Sequence, residues 1–286
     1  MATSKWFSRA ALAVGMTAVA ATTVLAQQTS KPAATTALAP ANYDIPLWDK
    51  GKVPMALGES PLDMPVLTVF APPAGKANGS AVIIAPGGSN IMLMYGGEGL
   101  DAAERYTDWG VTAFVLTYRL SPRYNDEARV ADGKRAIQLV RARAKEWNLD
   151  PAKIGYIGFS AGSNMGRTIV AAATPGDPKA VDPVDRVSSR PDYLVLVYGP
   201  GRATPGEALK DFPPTFLVSA AADQQPSMGN AQLFIDLTRA GATAELHVYQ
   251  KGRHGFGAGN GSEEFSGWMS NLESFLRLDG FLPKAK

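Results

Sequence analysis

Apolar residues gather into two patterns along the chain. The first is a short, nearly continuous run of Val, Ile, Leu and Phe bounded by Gly or Pro, as at 81–85, 111–118, 154–159, 193–198 and 215–220. Runs of this length without polar alternation suit strands buried on both faces of a sheet. Segments 65–70 and 244–250 add two more strands. The second pattern has helical spacing. Val130, Ile137, Val140, Ala144 and Trp147 fall on one stripe of a helix predicted over 127–147, at steps of three and four with one longer gap. Leu233, Leu237 and Ala240 do the same over 230–240, with Gly241 as a stop. A last helix is expected to be capped by Ser262, with Glu263 and Glu264 in its first turn and Phe265, Trp268, Leu272 and Phe275 on its buried face. Strands and helices alternate, which predicts an α/β fold: a mostly parallel central sheet with helices on both faces. Connections 174–191 and 200–214 are rich in Pro and Gly and too short for a large lid.

The first residues do not share this patterning. Lys5 and Arg9 precede an apolar stretch at 10–25, and Val24-Leu25-Ala26 forms a small-x-small site, so 1–26 reads as an export signal cleaved near Ala26. Residues 27–42, rich in Gln, Thr, Ala and Pro, read as a disordered linker, and structure is expected to begin near Ile45-Pro46-Leu47-Trp48. One domain over 43–286 remains. Losing Lys5 and Arg9 takes the formal charge from +2 to 0. No Lys/Arg cluster stands out, so nucleic acid is not expected as a partner. There are no cysteines, hence no disulfides. No later segment is long and apolar enough to span a bilayer, so a soluble periplasmic or secreted protein is expected.

The strongest chemical signal is Gly158-Phe159-Ser160-Ala161-Gly162. It follows the strand 154–159 and opens a helix toward Ala171. A serine hydroxyl needs projection toward a base to act as a nucleophile, and a sharp strand-to-helix turn with small neighbours supplies it. The turn also aims the Ala161 N–H at a developing oxyanion. The base must be His247 or His254, the two histidines present. His247 is mid-strand and reads as structural. His254 lies in a Gly-rich loop just after the last strand, where parallel sheets build their sites. The orienting acid should lie between Ser160 and His254, and Asp223 fits because it follows a strand and precedes a helix. Asp211 precedes that strand and belongs at the opposite sheet edge, and Asp236 lies within the following helix. A second oxyanion donor is expected from Pro86-Gly87-Gly88-Ser89, after strand 81–85. Gly96-Gly97 reads as a plain loop. Neither a metal site nor a cofactor fingerprint is present in the sequence, so no cofactor is expected.

Taken together, these segments resemble the secreted bacterial esterases of the α/β-hydrolase superfamily known as acetylxylan esterases or xylanase-associated esterases, with dienelactone-hydrolase-like and prolyl-oligopeptidase-like relatives. The resemblance spans about Ile45 to Leu282. It rests on Ile45-Pro46-Leu47-Trp48, Pro86-Gly87-Gly88, Phe114-Val115-Leu116-Thr117-Tyr118-Arg119-Leu120, Gly158 to Gly162, Pro213-Pro214-Thr215-Phe216-Leu217, Glu245-Leu246-His247-Val248-Tyr249 and His254-Gly255-Phe256-Gly257. It implies an α/β-hydrolase fold, Ser160 as nucleophile, His254 as base, Asp223 as acid, and oxyanion donors around Gly87-Gly88 and at Ala161. Two departures adjoin the acyl pocket. Ser163-Asn164 stands where the family usually has Gly-His, and Ser89-Asn90 where it has a third Gly and an aromatic. These four residues are candidates for the substrate pocket. The implied activity is hydrolysis of short acyl esters, acetyl on xylan fragments above all, with a small-molecule or oligosaccharide ester as the partner. A general carboxylesterase, a peptidase-like serine hydrolase and a catalytically silent binding protein are the alternatives.

Overall fold

The computed structural model describes residues 42–199, 208–259, 264–265 and 267–284. The expected export signal, and all of the expected linker but its last residue, lie outside these. The frame is an eight-stranded sheet: β1 (Tyr43–Pro46), β2 (Val66–Phe70), β3 (Ala81–Ala85), β4 (Thr112–Thr117), β5 (Ile154–Phe159), β6 (Leu194–Val197), β7 (Thr215–Ala220) and β8 (Ala244–Tyr249). Their order is β1-β2-β4-β3-β5-β6-β7-β8. The pairs β1/β2 and β2/β4 are antiparallel, and every other pair is parallel. The helices are α1 (Asp101–Asp108), α2 (Asp126–Ala142), α3 (Ala161–Ala171), α4 (Gln224–Arg239) and α5 (Trp268–Leu278).

Strand alternation sorts the apolar residues into two cores. Ala81, Ile83 and Ala85 of β3 point into one, where Ile137 and Val140 of α2, Met165 and Ile169 of α3, and Leu233 and Leu237 of α4 meet them. Val82 and Ile84 point into the other, against Ala102 and Tyr106 of α1 and Trp268 and Leu272 of α5. With helices on both faces, all five residues of β3 are buried. Each fully buried Ile or Leu contributes about 1.5–3 kcal/mol, so the double covering supplies the main drive for this layering. Because β3 and β5 to β8 run parallel, the loops that leave them gather at one sheet edge. No helix among the described residues is long and apolar enough to cross a membrane.

Several boundaries differ from those the sequence predicts. The helix predicted over 127–147 becomes α2 followed by a separate 3-10 turn at Ala144–Trp147, because Arg143 leaves helical geometry and Asn148 closes the turn in the left-handed region. Helix α4 starts at Gln224, six residues earlier than predicted. Pro226 sits in its first turn, where a missing N–H costs no helical bond. The last helix begins at Trp268, and the predicted cap at Ser262 lies outside the described residues. Gly96-Gly97, read as a plain loop, belongs to a π-helical turn, Tyr95–Leu100, that leads directly into the unpredicted helix α1. Strand β1 was also unpredicted. It is a four-residue edge strand in which only Ile45 is buried.

Two buried carboxylates pin the loops around β4. Asp132 of α2 takes a fork of bonds from Arg119, Nη2 to Oδ1 at 2.7 Å and Nε to Oδ2 at 3.0 Å, and also the Arg119 N–H at 3.0 Å. Both side chains are essentially inaccessible, and Arg119 further donates to the carbonyls of Pro54 and Ala128. Removing one partner leaves a buried charge uncompensated. Asp132→Ala is therefore expected to destabilise the fold by about 3–5 kcal/mol in urea unfolding, whereas the apolar pair Arg119→Met with Asp132→Leu loses less. Equal losses would contradict this account.

Asp63 accepts from Arg123, Tyr124 and Ser60, and the Arg123 guanidinium, foremost among these, holds its carboxyl well below the usual carboxylate range. A lowered folded-state value means stability that is complete above the ordinary carboxylate pKa of about 3.9 and lost as pH falls beneath it. Asp63→Asn is expected to flatten the dependence of stability on pH in that acid range, measured by urea unfolding at successive pH values.

Candidate active site

Ser160 joins β5 to α3 with φ 51° and ψ −112°, a conformation costing of order 1–3 kcal/mol in a residue with a side chain. The turn is tight because nothing fills its inside. A Cβ on Gly158 would stand 2.2 Å from the Gly162 carbonyl oxygen, and one on Gly162 would stand 2.1 Å from that of Ala85. The Ser160 N–H donates to the Val197 carbonyl of β6 at 2.9 Å, and its carbonyl accepts from Asn164 at 3.1 Å as α3 begins. These bonds hold the strained residue and turn its hydroxyl outward.

That hydroxyl lies 2.7 Å from His254 Nε2, and His254 Nδ1 lies 2.6 Å from Asp223 Oδ2. Since a carboxylate only accepts, Nδ1 carries the proton and Nε2 is left to accept from Ser160. Asp223 is the N-cap residue of α4, with its N–H on the Ala220 carbonyl at 3.0 Å. The His254 side chain is 47% exposed and that of Asp223 16%, so the imidazole is reachable while the carboxylate beside it is mostly covered. Three loops that the sequence separates widely thus meet at one point. His247, by contrast, stays in β8, bonded to Glu245 at 2.6 Å and stacked on Phe216.

The predicted oxyanion residues divide. Gly87 lies against Ser160, and a Cβ there would stand 2.8 Å from that of the serine. Its N–H is engaged, however, donating to Glu98 Oε2 at 2.6 Å. It is therefore not a free donor, a correction to the expectation for this residue. Among the described residues nothing accepts the N–H of Gly88 or of Ala161. The pocket candidates divide as well. Ser89 and Asn90 follow Gly88 in the left-handed region, at φ 55° and 63°. Asn164 is exposed, but Ser163 is buried against Gly199, where a Cβ would stand 2.1 Å from its Oγ, so it is closed to a ligand in this structure.

Sequence reasoning missed Glu98 and Tyr198. Glu98 is 5% exposed, and burial raises its carboxyl above the ordinary value, against the opposing pull of Tyr198, Gly87 and His254. Tyr198 packs its ring 4.8 Å from that of His254, and its hydroxyl donates to Glu98 Oε1 at 2.7 Å. The only available signals were one acidic residue among three glycines and a tyrosine at a strand end. Cavities of about 610 and 730 Å³ flank Trp48 and Arg135 along α2, and none of the residues lining them belongs to the Ser160 cluster.

Residues 67–184 match the family model BD-FAE. An acetylxylan esterase of Xylanibacter ruminicola is 27% identical over 221 residues, covering 70% of this chain and 46% of that protein. The endo-1,4-beta-xylanase B of Butyrivibrio fibrisolvens is 26% identical over 232 residues, 68% of this chain and 36% of that protein. The chain thus spans less than half the length of these curated relatives. Thermogutta terrifontis esterase 2 has a similar fold, with a TM-score of 0.69 at 21% identity over 86% of this chain and 96% of that one. The acetyl ester-xyloside bifunctional hydrolase of Caldicellulosiruptor lactoaceticus superposes with a TM-score of 0.78 at 30% identity, over 86% of this chain and 100% of that one. Matched along the whole of that hydrolase, the chain belongs to the esterases of the α/β-hydrolase superfamily.

Proposed function

We propose that the protein is a serine carboxylic-ester hydrolase that removes short acyl groups, acetyl above all, from carbohydrate such as xylan fragments. The observation that carries this reading is the unbroken chain from Ser160 through His254 to Asp223. In the reaction, Ser160 Oγ attacks the ester carbonyl while its proton passes to His254 Nε2. Asp223 holds the ring in the required tautomer and stabilises the imidazolium. The carbonyl oxygen, now negative, is met by the N–H groups of Gly88 and Ala161, the latter at the start of α3 where the helix dipole favours negative charge. His254 gives its proton to the leaving alcohol, an acyl-serine remains, and water activated by the same imidazole releases the acid.

Support for the acyl group comes from the short connections read in the sequence, which offer no lid over a long chain. The names of the Xylanibacter and Caldicellulosiruptor relatives support acetyl and xyloside. The polymer setting agrees with the export signal expected at 1–26, since polysaccharide is met outside the cytoplasm.

Ser160→Ala is expected to lower hydrolysis of nitrophenyl acetate by at least about a thousandfold and to abolish labelling by a fluorophosphonate probe. Activity retained in that variant would remove Ser160 from the mechanism. Across a panel of nitrophenyl acetate, butyrate and octanoate together with acetylated xylo-oligosaccharides, kcat/KM should peak at acetyl and fall steeply at octanoyl. A maximum at octanoate, or no turnover of the acetylated sugars, would move the substrate toward a general carboxylesterase.

A further inference from the structure

Glu98 places a carboxylate beneath the oxyanion loop, where the acyl-transfer mechanism proposed above leaves it without a part. Its two oxygens are both occupied. Oε2 accepts the Gly87 N–H at 2.6 Å, and Oε1 accepts the Tyr198 hydroxyl at 2.7 Å. The Tyr198 hydroxyl in turn accepts the Gly257 N–H at 3.1 Å, three residues beyond His254. The π turn that carries Glu98 also touches the His254 loop directly, the Gly97 carbonyl accepting the Ala258 N–H at 3.3 Å. On its other side the Gly87 carbonyl accepts from Met94, just before the turn, at 2.9 Å. The loop after β3 and the end of β6 therefore meet at the Glu98 side chain, and the loop after β8 joins them through Tyr198.

We infer that Glu98 is a positioning residue for ester hydrolysis, setting the separation between the oxyanion loop at Gly87-Gly88 and the loop that carries His254. The inference rests on the reading of Ser160, His254 and Asp223 as the reacting groups. Counting hydrogens supports it. Gly87 N–H, Tyr198 O–H and Gly257 N–H are three donors, and an ionised carboxylate with the tyrosine oxygen takes all three. A glutamine or a protonated acid has one acceptor fewer and one donor more, so one of the hydrogens is left without an acceptor, on either the oxyanion side or the histidine side. Since misplacement by about 1 Å can cost a hundredfold in rate, small movements of these loops reach the chemistry.

The test assays Glu98→Gln beside the parent protein and Ser160→Ala on nitrophenyl acetate. Expected for Glu98→Gln is a fall in kcat of roughly tenfold to a hundredfold with KM within about threefold. A folded Glu98→Gln with kcat within about twofold of the parent would overturn the inference, even if its thermal midpoint had dropped. Should Glu98→Gln fail to fold, Tyr198→Phe carries the test. It removes the hydroxyl that joins Glu98 to Gly257 and leaves the Gly87 bond to Oε2 in place, and an unchanged kcat there overturns the inference equally. An active Ser160→Ala would instead overturn the reading beneath it, so the two failures are distinguishable.

Discussion

The site depends on how closely three backbone segments approach one another at the ends of β3 and β5. Gly162 rests against the Ala85 carbonyl, Gly158 against Gly162, and Gly87 against Phe159 and Ser160, each where a single added carbon would collide. This crowding forces Ser160 into positive φ, and the bond from its N–H to Val197 helps to offset the strain. The same crowding brings the Gly87-Gly88 loop to Ser160. One constraint, the absence of side chains at three positions, therefore produces both the projected hydroxyl and the nearby donors.

The remaining parts arrive through topology. Parallel strands on either side of β5 end at one edge, so Asp223 after β7 and His254 after β8 come to Ser160 without any local sequence relation to it. The two cores keep the sheet from shifting beneath them. Arg119 and Asp132 clamp the end of β4 to α2 on the side away from β7 and β8, which leaves the loops after those strands the more exposed part of the site.

Legibility in the sequence follows from the same distinction. Ser160, Asp223 and His254 could be read because each lies where a strand gives way to a turn, and because their chain order matches a sheet that is filled in one direction. The five central strands were legible as unbroken apolar runs bounded by Gly and Pro. What escaped was decided by contacts distant in sequence. Glu98 lies 11 residues from Gly87 and 100 from Tyr198, and no local pattern links them. Gly87 looked like a donor from its place after β3, yet a carboxylate from the following turn occupies its N–H. Helix α1 hid behind Gly96-Gly97, which read as loop, and the start of α4 hid behind Pro226, whose position inside the first turn made it harmless.

An exposed imidazole and a buried support meet at the site. In the mechanism proposed His254 reaches both substrate and water; half of its side chain is open, and an open side chain on a Gly-rich loop has little packing to hold it. Asp223 fixes which nitrogen faces Ser160, but one hydrogen bond leaves the ring free to tilt about it. Tyr198, fully buried and itself held at φ 39°, lies against that ring, while its hydroxyl holds the loop three residues on. Precision at the solvent-facing side therefore originates from beneath, where water cannot compete for the hydrogen bonds and each is worth more than it would be at the surface. The same burial makes an unpaired group there costly, so Glu98 and Tyr198 can do this only together.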